Sequence, residues 1–480
     1  MSQRWPSLRR TWTAGAICVL LAGGGASTVG TARGSAGSGR RSLPAGHVPA
    51  WVARYTFKSG RDASGVAVAV SPDGKTVYVL AGSDRSVMLG GDRVAHYVTA
   101  AYEASTGAKI WVAPYLTSKG SYSAYGIAVS PDGTRIYVTG DDGAGDAATV
   151  AYRATNGAEV WVARSDQMSV VGHGSSAAGS VGVSSGVIAV SPDGAKIFIL
   201  GYGSKASGAP LVVLAYTAKN GAQAWAARYR AAGRDGVAPW ALTPSPDGKT
   251  VYIAAAGSND TASWDLTLAY NAATGARLWR ALCKRGNGPS GLAVSPNGSR
   301  VYVTGDGFGA SALGVTVAYD AATGSQVWLA RYRDPRHQSY RDSPEGVAVS
   351  PDGTRVYVSG QNGSGSGNVT VAYSTRTGAQ LWLADNRNGV AVSALAVSSD
   401  GKKVFVVGTR LPNDSFGLTL AYDAATGRQL WSSRYTGPAH GNALLNAIAP
   451  SPDGSKLYVT GAARVSAKGY VCVTMAYRAG

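Results

Sequence analysis

The chain has 480 residues, 45% of them hydrophobic, with 65 Gly, 25 Tyr and only three Cys, and its 45 basic and 27 acidic residues give a net charge of +18. Three cysteines are too few for a disulfide framework, and no apolar run reaches the roughly 20 residues of a membrane span. The cations recur once per repeat instead of forming one stripe, which excludes a nucleic-acid reader and suits solubility or loose attachment to anionic surfaces.

Residues 1 to 50 hold six Arg and no acidic residue, with an apolar stretch from Ala14 to Ala22 and small residues running to Ala32. That pattern predicts a signal peptide over 1–32, cleaved after Ala32, with Arg9 and Arg10 hinting at the twin-arginine route of bacterial export. A signal anchor is the alternative. Cys18 lies inside the apolar stretch and not after a lipobox, so no lipid anchor is expected. Residues 33–50 read as a Gly/Ser/Arg linker. The mature protein is expected to be a secreted, extracellular or cell-envelope associated monomer.

From Trp51 onward the sequence is periodic. SPDG-like tetrads start at Ser71, Ser130, Ser191, Ser245, Ser295, Ser350, Ser398 and Ser451. Ala-Tyr pairs end at Tyr102, Tyr152, Tyr216, Tyr270, Tyr319, Tyr373, Tyr422 and Tyr477, and in-frame Trp stand at 51, 111, 161, 225, 279, 328, 382 and 431. Between these markers run short Val/Tyr/Trp-rich segments of period two, separated by Asp-Gly and Thr-Gly turns, and no stretch has helical periodicity. The reading is an all-β fold, an eight-bladed β-propeller of four-stranded antiparallel blades occupying 51–480 as a single domain. The last repeat stops at Gly480 before its Trp-bearing strand, whereas the chain opens with a spare one, WVARY. Trp51 to Tyr55 should therefore pair with Val471 to Tyr477 and close the ring, leaving no open edge in the last blade.

AYDAATGSQVW (318–328) and AYDAATGRQLW (421–431) resemble the tryptophan-docking motif of the eight-bladed quinoprotein dehydrogenase propellers, and VSPDGTRVYVSG (349–360) resembles the SPDG-bearing YVTN-type propellers. The Asp of the docking motif is kept as Asp320 and Asp423 and replaced by Glu103, Arg153, Thr217, Asn271, Ser374 and Arg478 elsewhere. The resemblance implies the eight-bladed fold. It also raises pyrroloquinoline quinone (PQQ) with Ca²⁺ as a cofactor, held in such enzymes beside a Trp and two adjacent disulfide-bonded Cys. Adjacent Cys are absent here, since Cys18 leaves with the signal peptide and Cys283 and Cys472 are far apart in sequence. No cofactor is predicted, and the expectation is a binding or interaction module; a PQQ-dependent dehydrogenase with an atypical site is the alternative.

No catalytic residues are assigned. The four His of the repeats, His96, His173, His337 and His440, show no metal-ligand spacing. GDDGAGD (140–146) offers Asp141, Asp142 and Asp146 as a weak Ca²⁺ candidate that departs from the EF-hand spacing. The turns on one face are nearly uniform, while the loops on the other, 82–96, 165–185, 229–239, 257–264 and 333–345, differ in every repeat. Function in such frames sits on the divergent loops. Five residues before each tetrad, at the mouth of the innermost strand, stand Val66, Tyr125, Gly186, Trp240, Ser290, Glu345, Ser393 and Asn446. Tyr125, Trp240, Glu345 and Asn446 are the ligand-face candidates, with loop packing as the competing reading. The expected partner is a protein or an anionic cell-surface polymer or glycan.

Overall fold

In the computed structural model, which describes residues 47–57, 62–83, 97–115, 124–142, 146–169, 176–177, 187–203, 210–231, 236–259, 263–284, 286–307, 314–332, 343–361, 367–386, 389–410, 416–438, 442–466 and 469–480, each Ser-Pro-Asp-Gly tetrad closes the hairpin between the first two strands of a repeat. In the first repeat Ser71 Oγ donates to Asp73 Oδ1 at 2.6 Å and accepts the Thr76 amide at 2.9 Å, while the Lys75 amide donates to Asp73 Oδ1 at 3.0 Å. Gly74 takes φ +70°, where a side chain would strain the turn. The Ser hydroxyl holds the Asp carboxyl below its usual range, and at Asp453 down to about 2. Each turn also touches the next: Pro72 Cδ lies 3.3 Å from where a Cβ on Gly133 would stand, Pro131 meets Gly194, and the series returns to Gly74 through Pro452.

Eight antiparallel sheets result, and no helix occurs among the described residues. Blade one consists of Ala63–Val70, Thr76–Ser83, Tyr97–Glu103 and Lys109–Tyr115, from inner to outer strand. Blades two to eight follow in chain order, and each inner strand touches the next, the strand Ala443–Pro450 of blade eight returning to blade one. The second and third strands of a blade are almost wholly buried on both faces, because every blade is covered by a neighbour on each side, while the outer strands keep exposed residues. The core is therefore a set of interblade layers such as Trp225, Leu242, Ile253 and Leu268 between blades three and four.

The Thr-Gly turn and the Trp explain this stacking. Trp111 Nε1 donates to Ala154 O of the next blade at 2.9 Å, and its ring covers Gly157, where a Cβ would stand 2.5 Å from Trp111 Cε3. The equivalent bond recurs from Trp161 to Ala218, Trp225 to Ala272, Trp279 to Ala321, Trp328 to Thr375 and Trp382 to Ala424. Some cations that follow the tetrads brace the same seam: Arg135 donates to the carbonyls of Ala218 and Lys219, and Lys456 donates to Ala104 O at 3.1 Å, whereas Arg300 pairs with Asp320 at 2.9 Å within its own blade.

The ring closes as the sequence predicts. Trp51–Tyr55 pairs antiparallel with Cys472–Ala476, from Trp51↔Ala476 to Tyr55↔Cys472, as the outer strand of blade eight. Trp51 then behaves like its equivalents, donating to Ala104 O at 3.1 Å and covering Gly107. One expectation needs correction, because the docked chain begins before residue 51. Blade eight lacks a Thr-Gly turn to cover Trp431. His47, placed in the expected 33–50 linker, supplies the cover: its ring stacks on Trp431 at 4.4 Å between centroids and its amide donates to Ser432 O at 3.1 Å.

Candidate functional site

The mouth of the channel opposite the tetrads is shaped by a repeated irregularity. In seven inner strands the ladder slips by one residue, between Gly65/Ala67, Ala124/Gly126, Pro239/Ala241, Pro289/Gly291, Pro344/Gly346, Val392/Ala394 and Leu445/Ala447. The skipped residues are Val66, Tyr125, Trp240, Ser290, Glu345, Ser393 and Asn446. A β-bulge frees one residue from the inward-outward alternation and re-aims its side chain. The following residue in each of these blades is Gly or Ala, as Gly291 shows: a Cβ there would lie 2.9 Å from Val347 Cγ1 of the next blade. The eighth position, Gly186, lies outside the described residues.

These positions are not equivalent in use. Asn446 Nδ2 donates to Gly65 O at 2.8 Å and Ser64 Oγ at 3.1 Å, so its amide joins blade eight to blade one. Tyr125 packs on the apolar layer between blades two and three, and Ser290 Oγ donates to Thr304 O at 3.3 Å. Tyr125, Trp240, Glu345 and Asn446 are all half-buried at the mouth.

Around Glu345 the structure gathers carboxyls that the repeat alignment does not find. Burial, then the nearby Asp306, lifts the Glu345 carboxyl to about 8. Asp306 accepts Ser343 Oγ at 2.8 Å, and Asp265, 2% exposed, accepts the Gly288 amide at 2.9 Å and is lifted by burial to about 7. The signal for Asp265 was present in the sequence, because it interrupts a third strand that begins with Ala147 in blade two and Leu211 in blade three. The chain's own backbone also enters the mouth: Ser176–Ala177, from the 165–185 loop, pairs in parallel with Ala394–Leu395 and touches the inner strands of blades five, six and eight.

At the tetrad end the axis holds an open cavity of about 580 Å³, walled by Val68, Val129, Val349 and their equivalents and rimmed by Pro72, Pro131, Pro192, Pro246, Pro296, Pro351 and Pro452. Its shape and apolar lining follow from the repeat.

Asp142 and Asp146 belong to a tight hairpin, with the Asp142 amide donating to Asp146 O at 2.9 Å and the Asp146 amide to Asp142 Oδ1 at 3.3 Å. Burial, then Asp142 and Asp166, raises the Asp146 carboxyl. Among the described residues no three His, Cys, Asp or Glu side chains converge to hold a metal, with Asp141 included. Cys283 and Cys472 are free and buried in blades four and eight. The sequence holds no adjacent Cys pair, and no such carboxylate set occurs among the described residues. Of the four His, all lie outside the described residues.

Comparison with known proteins bears on the fold. The family model described as outer membrane protein assembly factor BamB matches residues 146–366, 265–406 and 365–471. Among solved structures, the chain is similar to Sqt1 of Chaetomium thermophilum bound to the N-terminus of ribosomal protein L10 (15% identity, 88% of this chain and 98% of that one, TM-score 0.59). It is also similar to the Dos1 propeller (12%, 89% and 95%, TM-score 0.57) and to the quinohemoprotein alcohol dehydrogenase of Comamonas testosteroni (15%, 90% and 76%, TM-score 0.55). At these identities the likeness is one of fold. No curated protein matches.

Proposed function

Because the chain belongs to the family of PQQ-like repeat propellers described as outer membrane protein assembly factor BamB, we propose that it is an exported binding scaffold, monomeric and without catalysis, whose ligand-bearing face is the channel mouth opposite the tetrads. The observation that carries this reading is the bulge repeated at one register in seven inner strands. It holds the backbone constant and varies the side chain from blade to blade, six residue types over seven blades, as a recognition surface on a rigid frame requires. The partner is a protein segment or an anionic surface polymer outside the cell, reached after removal of residues 1–32. Trp240 supplies contact area at low entropic cost, and Glu345 supplies a carboxyl able to accept or donate.

The test is a peptide-display selection on the mature protein, followed by titration of the enriched peptide. Trp240→Ala should weaken binding at least tenfold, roughly the effect of losing a buried aromatic anchor. Lys75→Ala and Lys249→Ala, on the tetrad face, should leave it unchanged, as should Trp264→Ala, the control for a general aromatic effect. Loss in the lysine variants with Trp240→Ala unaffected would move the site to the other face. Reduction of an artificial acceptor by protein incubated with PQQ, Ca²⁺ and an alcohol or sugar would replace the scaffold reading by the dehydrogenase one.

A further inference from the structure

The cavity at the tetrad end has a second kind of lining besides its valines and prolines. The Ser71 amide donates to Thr76 O, so this pair is bonded across the hairpin. Antiparallel residues alternate between bonded and non-bonded pairs, and Val70, set opposite Val77, belongs to the second kind. Its N–H and C=O therefore point away from the second strand and, because Ala63–Val70 is the innermost strand, toward the axis. The other blades repeat this arrangement: Ser130 bonds to Arg135 O with Val129 opposite Ile136, and Ser350 bonds to Arg355 O with Val349 opposite Val356. Blades four and eight place Pro244 and Pro450 there, which keep the carbonyl and lack the N–H. The wall of the cavity is thus a ring of backbone carbonyls and amides set among apolar side chains.

The protein itself shows what this inner edge accepts. Leu395 stands as far before Ser398 as Val68 does before Ser71, and its strand takes Ser176–Ala177 as a parallel neighbour, with Ala177 opposite Leu395. Nearer the tetrads, at the level of Val70 and Val397, no described strand is added to any inner edge, and the axis opens into the cavity of about 580 Å³. That space equals roughly twenty waters at about 30 Å³ each. None of the described residues lining it is charged, and residues 174–186, on both sides of the Ser176–Ala177 pair, hold no Asp, Glu, Lys or Arg. A charged group carried into the cavity would lose its hydration without meeting a counter-charge.

We propose that the tetrad end of the axis binds a short, uncharged peptide segment in extended form, added to an inner edge as Ser176–Ala177 is added at Leu395. Backbone pairing supplies the hydrogen bonds, and the valine walls take small apolar side chains. An amide carries a donor and an acceptor together and so matches a wall that offers both, whereas an anion would meet the carbonyls and a cation the N–H groups. From Val70 to Val68 the wall is about 7 Å of extended chain deep, and with the proline rim it suits a segment of about three or four residues. The site lies at the opposite end of the axis from Trp240 and Glu345, so it stands whether or not the mouth binds a partner.

The mature protein titrated calorimetrically with acetyl-Ala-Val-Ala-Val amide at millimolar concentration should bind it. The same peptide with N-methylated amides keeps the apolar surface, loses the donors and should bind at least tenfold more weakly, because it leaves carbonyls of the wall unmet. A peptide with Asp or Lys in place of its first Val should be weakened likewise. Val294→Phe and Val397→Phe fill the cavity from two blades and should each weaken binding at least tenfold, while Trp240→Ala, at the mouth, should leave it unchanged. Equal melting temperatures confirm that these variants fold, and the peptide series on the unmutated protein decides the ligand class without them. No binding at millimolar peptide, undiminished affinity in both Phe variants, or an equal loss in Trp240→Ala would overturn the site. An N-methylated peptide bound as tightly as its parent would overturn the strand pairing, and a charged one bound as tightly would overturn the uncharged class.

Discussion

Trp51→Ala tests the closure of the ring. Trp51 is only 9% exposed, so nearly all of an indole surface of about 200 Å² is covered, and at about 25 cal/mol per Å² its transfer from water contributes roughly 5 kcal/mol. The bond from Nε1 to Ala104 O at 3.1 Å adds about 1 kcal/mol. Partial collapse of the site returns some of this, and the expected loss is about 3–5 kcal/mol, the usual range for Trp→Ala in a core. Urea unfolding followed by far-ultraviolet circular dichroism measures it, with Trp111→Ala as the internal standard. Trp111 makes the same contacts within one continuous repeat pair, against Ala154 and Gly157. If the N-terminal strand is a full member of blade eight, the two variants lose the same stability within about 1 kcal/mol. A Trp51→Ala protein that unfolds with the parent while Trp111→Ala is crippled would refute the closing strand and with it the eight-blade count.

Two further substitutions probe the interior. Glu345 and Asp265 keep their protons in the folded protein up to about pH 8 and 7, whereas in the unfolded chain they ionise near pH 4; between those limits the folded state binds more protons, so stability falls as pH rises from about 5 to 8. Glu345→Gln should flatten that slope and leave the variant more stable than the parent at pH 9, checked by melting temperature across the range; an unchanged slope would refute the burial of this carboxyl. Asn368 is completely buried, and neither atom of its amide has a hydrogen-bond partner. Asn368→Leu, the residue that blade three holds at the same point as Leu211, should stabilise by about 1–2 kcal/mol by removing an unmet donor and acceptor, and a destabilised variant in urea unfolding would show that the amide is satisfied.

The blades and their closure were legible because the chemistry that makes them is local. Ser71 and Asp73 are two residues apart, and the Trp-Gly contact repeats in register. The mouth positions could be found by alignment, but not which of them are spent on packing. Asn446 looks as available as Glu345 until its bonds to Ser64 and Gly65 are seen, and those residues are nearly four hundred positions away in sequence. Tyr125 is likewise consumed by a neighbouring blade. The parallel pairing of Ser176–Ala177 with Ala394–Leu395 escaped because it is set by no local pattern.

The two faces differ for a mechanical reason. On the tetrad face the Ser and Asp hold their own turn while the Pro packs beside the Gly of the next, so a change at Pro or Gly is felt at two blades. On the other face the strands end without that coupling, and a bulge costs little there. Contact with the half-buried ring of Trp240 rests on apolar burial, which salt does not weaken, whereas exposed charges are screened over a Debye length of about 10 Å at 0.1 M ionic strength. Titrating the enriched peptide across an ionic-strength series separates the two contributions: Trp240→Ala should weaken binding by the same factor at low and high salt, and an effect that vanishes at high salt would show that the mouth acts through charge instead.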